Sequence, residues 1–130
     1  MIKLVVAEDG SELASELWET RHPAASSILA YPEGRAALGA AQRGGRLTAS
    51  AHAKAVEDFE AIQDELLLVG VDVLLTREAG DLAEQLGLRG YDAVHLASAL
   101  ALGEPTTVVT WDRDLGRAAE RVGLGVAGLD

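Results

Sequence analysis

Short apolar runs alternate along this chain with longer stretches of helical period, the pattern of an α/β layer fold. Residues 11–19 read as a helix with Leu13 and Leu17 on one face. Pro23 closes that region, and the small apolar segment 24–29 suits a buried strand. Residues 31–42 are Ala-rich and helical, with Pro32 in the first turn and Gly34 and Gly39 as weak points. Gly44-Gly45 ends this stretch, and Thr48 and Ser50 are candidate caps for a long helix over 51–64. Residues 66–75 read as β-like with an interruption at Gly70. Thr76 is expected to cap a helix that runs through Leu86 and ends at Gly87.

Residues 91–102 form the strongest helical stretch, with Val94, Ala97, Leu100 and Ala101 on a largely apolar surface that predicts deep packing. Gly103-Glu104-Pro105 is a turn, and the β-branched run 106–110 has the composition of a buried strand. A helix over 112–122 and a short last strand over 125–127 complete the order. Strands separated by helices are expected to pair in parallel through right-handed crossovers.

Composition narrows the class. The 130 residues fit one domain spanning the whole chain, with no repeat, low-complexity tract or Pro/Ser-rich linker. No run reaches the roughly 18 apolar residues that span a bilayer, and the apolar run at Leu4 is too short for a signal peptide. With no cysteine there is neither a disulfide framework nor a thiolate metal site, so a cytoplasmic setting is expected. The net charge of −10 argues against a general nucleic-acid coat protein, whose affinity comes from neutralising phosphates. It suits a basic partner, and an acidic enzyme can still act on RNA where metal ions neutralise its site.

In parallel sheets ligands bind beyond the carboxyl ends of strands, and three places put acids there. Glu33 follows the 24–29 segment by one helical turn. Asp92 opens the apolar helix, with His95 and Ser98 one and two turns further on. Asp112 directly follows the 106–110 strand, with Asp114 two residues later. Carboxylates that converge without basic partners repel one another unless a divalent cation sits between them. Oxygen ligands without cysteine select Mg²⁺ or Mn²⁺ over zinc. Each acid also has an ordinary reading, as a helix cap or dipole partner for Asp92 and Asp112, and as a first-turn acid for Glu33 and Asp114.

Three segments carry a resemblance. RGYDAVHLASAL at 89–100 is similar to the "DAxHxAxAL" helix of PIN-domain toxins. TVVTWDRDL at 107–115, followed by Ala118-Ala119 and GLGV at 123–126, is similar to their "vvTxDxxL…AAxxxGl" ending. ASSILAYPEGRAAL at 25–38 is similar to their "SxLxxxExxRAL" segment. In order and spacing these cover nearly the whole chain, which resembles PIN-domain ribonucleases of the VapC toxin kind. The resemblance implies a PIN-like three-layer sandwich, with a short, mainly parallel central sheet flanked by helices. It implies a metal-dependent endoribonuclease using Mg²⁺ or Mn²⁺, in which Glu33, Asp92 and Asp112 match three of the family's four metal-coordinating acids and Asp114 assists. Thr110 would orient Asp112 or a bound water. His95 reads either as a satisfied core histidine or as a group behind the site, and Ser27 and Ser98 as packing residues with satisfied hydroxyls. Arg77, Arg89 and Arg113 are candidates to hold phosphates, or else solvated surface charge. Implied partners are a VapB-like antitoxin, RNA with tRNA as one substrate class, and a second copy of the chain.

The chain opens MIKLVVAE, which is similar to the portion following the family's first acid in "YLDTSALIKL". By the resemblance the first strand and its acid are therefore absent, and an in-frame continuation upstream is expected. Residues 2–6 read locally as a strand and by the resemblance as the start of the first helix, the preferred reading. Glu8 and Asp9 come too late to replace the lost carboxylate. With one acid fewer, a degenerate PIN domain that docks an antitoxin without cutting RNA is the alternative. A flavodoxin-like receiver is a third reading, disfavoured because Lys3 and Lys54, the only lysines, are not at a late strand end.

Overall fold

The computed structural model describes residues 9–20 and 23–128, so the readings of residues 2–6 and of Glu8 lie outside the described residues. In chain order the elements are α1 (Ser11–Glu19), β1 (Ala25–Ser27), α2 (Ala30–Arg43), α3 (Ala49–Asp64), β2 (Leu67–Val69), α4 (Val73–Leu86), α5 (Gly90–Ala101), β3 (Thr107–Val109), α6 (Arg113–Arg121) and β4 (Gly125–Ala127). The order and the α/β class are those predicted from the apolar pattern. Among the described residues the strands pair two by two, β1 with β2 and β3 with β4. No described helix is long and apolar enough to cross a membrane.

Internal contacts divide the chain into two compact units. One holds the described residues up to Ala25 together with Leu29–Leu67; the other holds Ser26–Ile28 and the described residues from Leu68 onward. The first is built on α2 and α3. Leu38, Ala55 and Phe59 are its buried core, with Leu47 and Val56 against them. Gly34 makes the helices' close approach possible: a Cβ there would lie 2.2 Å from Phe59 Cζ, so any side chain would displace the ring. Tyr31 stacks on the same ring with centroids 5.8 Å apart. Outside, the Tyr31 hydroxyl donates to Glu60 Oε1 (2.5 Å) and accepts from Arg35 Nη1 (2.8 Å), tying α2 to α3 across their exposed edge. Thr48 starts α3, its Oγ1 accepting from the Ala51 N–H at 3.1 Å; Ser50 falls inside the helix. In α1 the buried residue is Ala14, while Leu13 is exposed and Leu17 half-buried.

The second unit packs α4, α5 and α6 around Leu75, Ala79, Leu88, Ala93, Leu96, Ala97, Leu115, Ala118, Ala119 and Leu124. Small residues on α5 and α6 let the helices lie close, and Leu96 fills the space between. The β3 and β4 strands run parallel, with Thr107 opposite Gly125, Val108 opposite Val126 and Val109 opposite Ala127.

Three expectations are corrected. The helix α4 begins at Val73, not after Thr76, because the Asp72 carboxylate accepts the Leu75 N–H at 2.9 Å; the Thr76 hydroxyl instead donates back to the Val73 carbonyl. The β-like run before it yields to a good cap and a core-facing Leu75, so β2 stops at Val69. The strands are also shorter and more open than their composition suggests: Leu67 is 64% exposed and Val109 51%. On α5 the buried residues are Ala93, Leu96, Ala97 and Ser98, while Leu100 and Ala101 face outward. A helix packed along one stripe leaves the flanks of an apolar surface uncovered.

Candidate metal centre

Two helix starts in the second unit bring Asp92 and Asp112 together. Asp92 lies in the first turn of α5, whose core residues Ala93, Leu96 and Ala97 fix its rotation. Asp112 is the N-cap of α6, reached directly from β3 through Thr110 and Trp111. Helix N-termini carry partial positive charge, which favours carboxylates at both positions.

Asp112 is held at three points. Its Oδ1 accepts the Leu115 N–H at 2.9 Å, the cap that an Asp at this position predicts. Its own N–H donates to Thr110 Oγ1 at 3.1 Å, so Thr110 does orient Asp112. The Thr110 N–H in turn donates to the Ala127 carbonyl at 3.0 Å, extending the β3–β4 ladder by one residue. Behind Thr110 sits Gly128, buried, with φ +99°, where a Cβ would come within 2.7 Å of the Thr110 carbonyl oxygen.

The remaining oxygen of Asp112 turns to Arg89. Arg89 Nη2 lies 3.4 Å from Asp112 Oδ2 and 3.0 Å from Asp92 Oδ2, and Arg89 Nε also donates to Asp92 Oδ2 at 3.0 Å. One guanidinium thus serves two carboxylates. The Asp92 side chain is 16% exposed, Asp112 38% and Arg89 78%, so the pair is set back and the cation lies over it. The hydrogen bond to Asp92, then the Asp92 and Asp112 charges, and more weakly Asp114, push the Arg89 pKa above its already high ordinary value. Arg89 therefore marks the place where the Asp92 and Asp112 carboxylates meet.

The other predicted site residues are placed as follows. Asp114 is exposed in the first turn of α6, beside a shallow groove of about 250 Å³ lined by Leu86, Gly87, Arg117, Ala118 and Arg121. Glu33 is half-buried in the first turn of α2, in the first unit. Among the described residues no three His, Asp or Glu side chains form a group that could hold a metal ion. The assembled pair is Asp92 and Asp112. His95 is half-buried with its ring 5.8 Å from that of Tyr91. Ser98 donates its hydroxyl to the Val94 carbonyl at 2.8 Å, a packing residue as expected, and Ser27 is buried. Arg77 and Arg113 are exposed on α4 and α6. Sequence reasoning did not reach the bridging role of Arg89, the close approach of Gly128, or the Arg117–Arg121 groove. The spacing of Arg89 three residues before Asp92 was the one local signal.

Two carboxylate oxygens turned to a common cationic group offer hard donors at a helix-positive end. Such a pair is chemically suited to Mg²⁺ or Mn²⁺, ions that keep several waters and take one or two protein carboxylates.

The family model of the PIN domain matches residues 1–121. The chain is 49% identical over 127 residues to Ribonuclease VapC45 of Mycobacterium tuberculosis (strain CDC 1551 / Oshkosh), covering 97% of this chain and 88% of that protein. It is 49% identical to Ribonuclease VapC49 of Mycobacterium tuberculosis (strain ATCC 25618 / H37Rv), with the same coverage. With its α/β order, its paired acids at two helix starts and a family match over nearly its whole length, this chain belongs to the PIN-domain family.

Proposed function

We propose that this protein is a divalent-metal-dependent endoribonuclease, the toxin of a toxin–antitoxin pair, and that Asp92 and Asp112 hold its Mg²⁺ or Mn²⁺. The observation that carries this reading is the single guanidinium shared by Asp92 Oδ2 and Asp112 Oδ2, because two oxygens that converge on one cation can converge on another. Similarity to two ribonucleases supports the reaction class. Glu33 is counted as a further ligand on the strength of the motif match, and Asp114 as an assisting group, through water or as an alternative ligand. The chemistry such an ion supplies is activation of water and neutralisation of charge at a phosphodiester.

The chain's own residues have separate tasks. Thr110 and the Leu115 N–H fix the Asp112 carboxylate, and the rotation of α5 fixes Asp92. The starts of α5 and α6 favour a bound phosphate through their dipoles. A VapB-like antitoxin, a tRNA substrate, a homodimer and a cytoplasmic setting belong to the same reading; the net charge of −10 suits a basic partner. A second reading, a non-catalytic module that only docks an antitoxin, draws on the fact that Arg89 already pairs with both acids. RNA cleavage by the purified protein in Mn²⁺ separates the two. The nuclease reading expects cleavage that Asp92→Asn abolishes, and equal cleavage by that variant sinks it.

A further inference from the structure

The oxygens that a metal would need are the ones that Arg89 holds. Asp112 Oδ1 is committed to the Leu115 N–H, so Oδ2 is its free donor, and Arg89 Nη2 stands 3.4 Å from it. On Asp92 it is again Oδ2 that accepts from Arg89 Nε, with Nη2 3.0 Å from the same oxygen. A divalent ion held by Asp92 and Asp112 would compete with the guanidinium for these oxygens. We propose that Arg89 is an internal antagonist of metal binding, occupying the Asp92–Asp112 pair in the metal-free chain and leaving it when the ion arrives.

This inference rests on the metal reading above and adds a regulatory element to it. Without a cation the two carboxylates would face each other at a half-buried position, and the guanidinium relieves that repulsion. The arrangement is reversible by construction. Arg89 is the residue before α5, its stem reaches over the surface, and exposed ion pairs of this kind are weak enough to yield to a doubly charged ion. Once released, the guanidinium would remain beside the site with its fork of donors free, the geometry that suits phosphate oxygens. Arg89 would thus set the metal concentration at which the site fills.

The test is Mn²⁺ calorimetry on the wild type and Arg89→Gln, with melting curves in EDTA and in saturating Mn²⁺. Arg89→Gln is expected to bind Mn²⁺ roughly two- to fivefold tighter, the range an exposed ion pair is worth. It is expected to melt below the wild type in EDTA, with the gap closing in saturating Mn²⁺. On titration with diamagnetic Mg²⁺, the Arg89 Nε–H resonance, assigned by its loss in Arg89→Gln, should move and saturate with the metal. Equal or weaker Mn²⁺ affinity in the variant, or a resonance that stays put at saturation, overturns the antagonism. Absence of Mn²⁺ binding by both proteins overturns the metal reading and this inference with it. Tighter binding by the variant without RNA cleavage by either protein upholds the antagonism and removes the nuclease reading alone.

Discussion

The hydroxyl oxygen of Thr110 accepts the backbone N–H of Asp112 at 3.1 Å, so the last residue of the extended β3–β4 ladder holds the first residue of the α6 cap. This hydrogen bond joins strand to helix and fixes the backbone from which the Asp112 carboxylate projects. Thr110→Val keeps the shape and removes the acceptor. It is expected to cost about 0.5–1.5 kcal/mol in urea unfolding and to weaken Mn²⁺ binding, whereas Thr110→Ser should preserve both. Unchanged metal affinity in Thr110→Val would show that the carboxylate is aimed by its cap alone.

Gly128 is the backing of this arrangement. Its φ of +99° and the 2.7 Å approach of a built Cβ to the Thr110 carbonyl leave no room for alanine without moving backbone. Gly128→Ala should therefore cost on the order of 1–3 kcal/mol, read by chemical unfolding. It should also disturb the near-ultraviolet signal of Trp111, since Trp111 Cε3 lies 3.2 Å from the same Cβ position. A variant as stable as the wild type would mean that the chain end shifts freely away from Thr110.

In the first unit the corresponding close approach is Gly34 against Phe59. Gly34→Ala places a methyl group into the ring and should destabilise by about 1–3 kcal/mol. Phe59→Leu in the same chain should recover part of that loss by vacating ring volume. Additive losses in the double variant would contradict direct contact between the two positions.

Asp72 caps α4 through the Leu75 N–H at 2.9 Å. Asp72→Ala is expected to lower stability by about 1 kcal/mol, and Asp72→Asn to be nearly neutral. Thermal or urea unfolding of the two side by side checks it. Equal losses would point to the charge of Asp72 rather than its capping oxygen.

The same cap shows where the sequence was legible and where it was not. The limits of α1 and β4, the Thr48 cap of α3 and the Asp112 cap of α6 follow from local spacing, because caps and turn glycines act within a few residues. The start of α4 did not. Val71, Val73 and Leu74 are apolar enough to continue a strand, and only the hydrogen bond from Leu75 to Asp72 decides otherwise. Exposure of Val109 and Leu67 was equally hidden, since composition says a run can be buried and not what lies against it.

The acids themselves were legible from motif and position. The cation that serves two of them was not. Arg89 and Asp92 are three residues apart, but Asp112 comes 23 residues after Arg89 and meets it only through the packing of α5 on α6. Gly128 reads as an ordinary glycine near the chain end until its approach to Thr110 is seen.

Whether Asp92 and Asp112 together hold a divalent ion is decided by Mn²⁺ calorimetry on the double variant Asp92→Asn, Asp112→Asn. Asparagine retains the α6 cap, so the protein should stay folded while losing both charged donors. Saturable Mn²⁺ binding is expected of the wild type and none of the folded double variant. Undiminished binding by that variant would contradict that expectation.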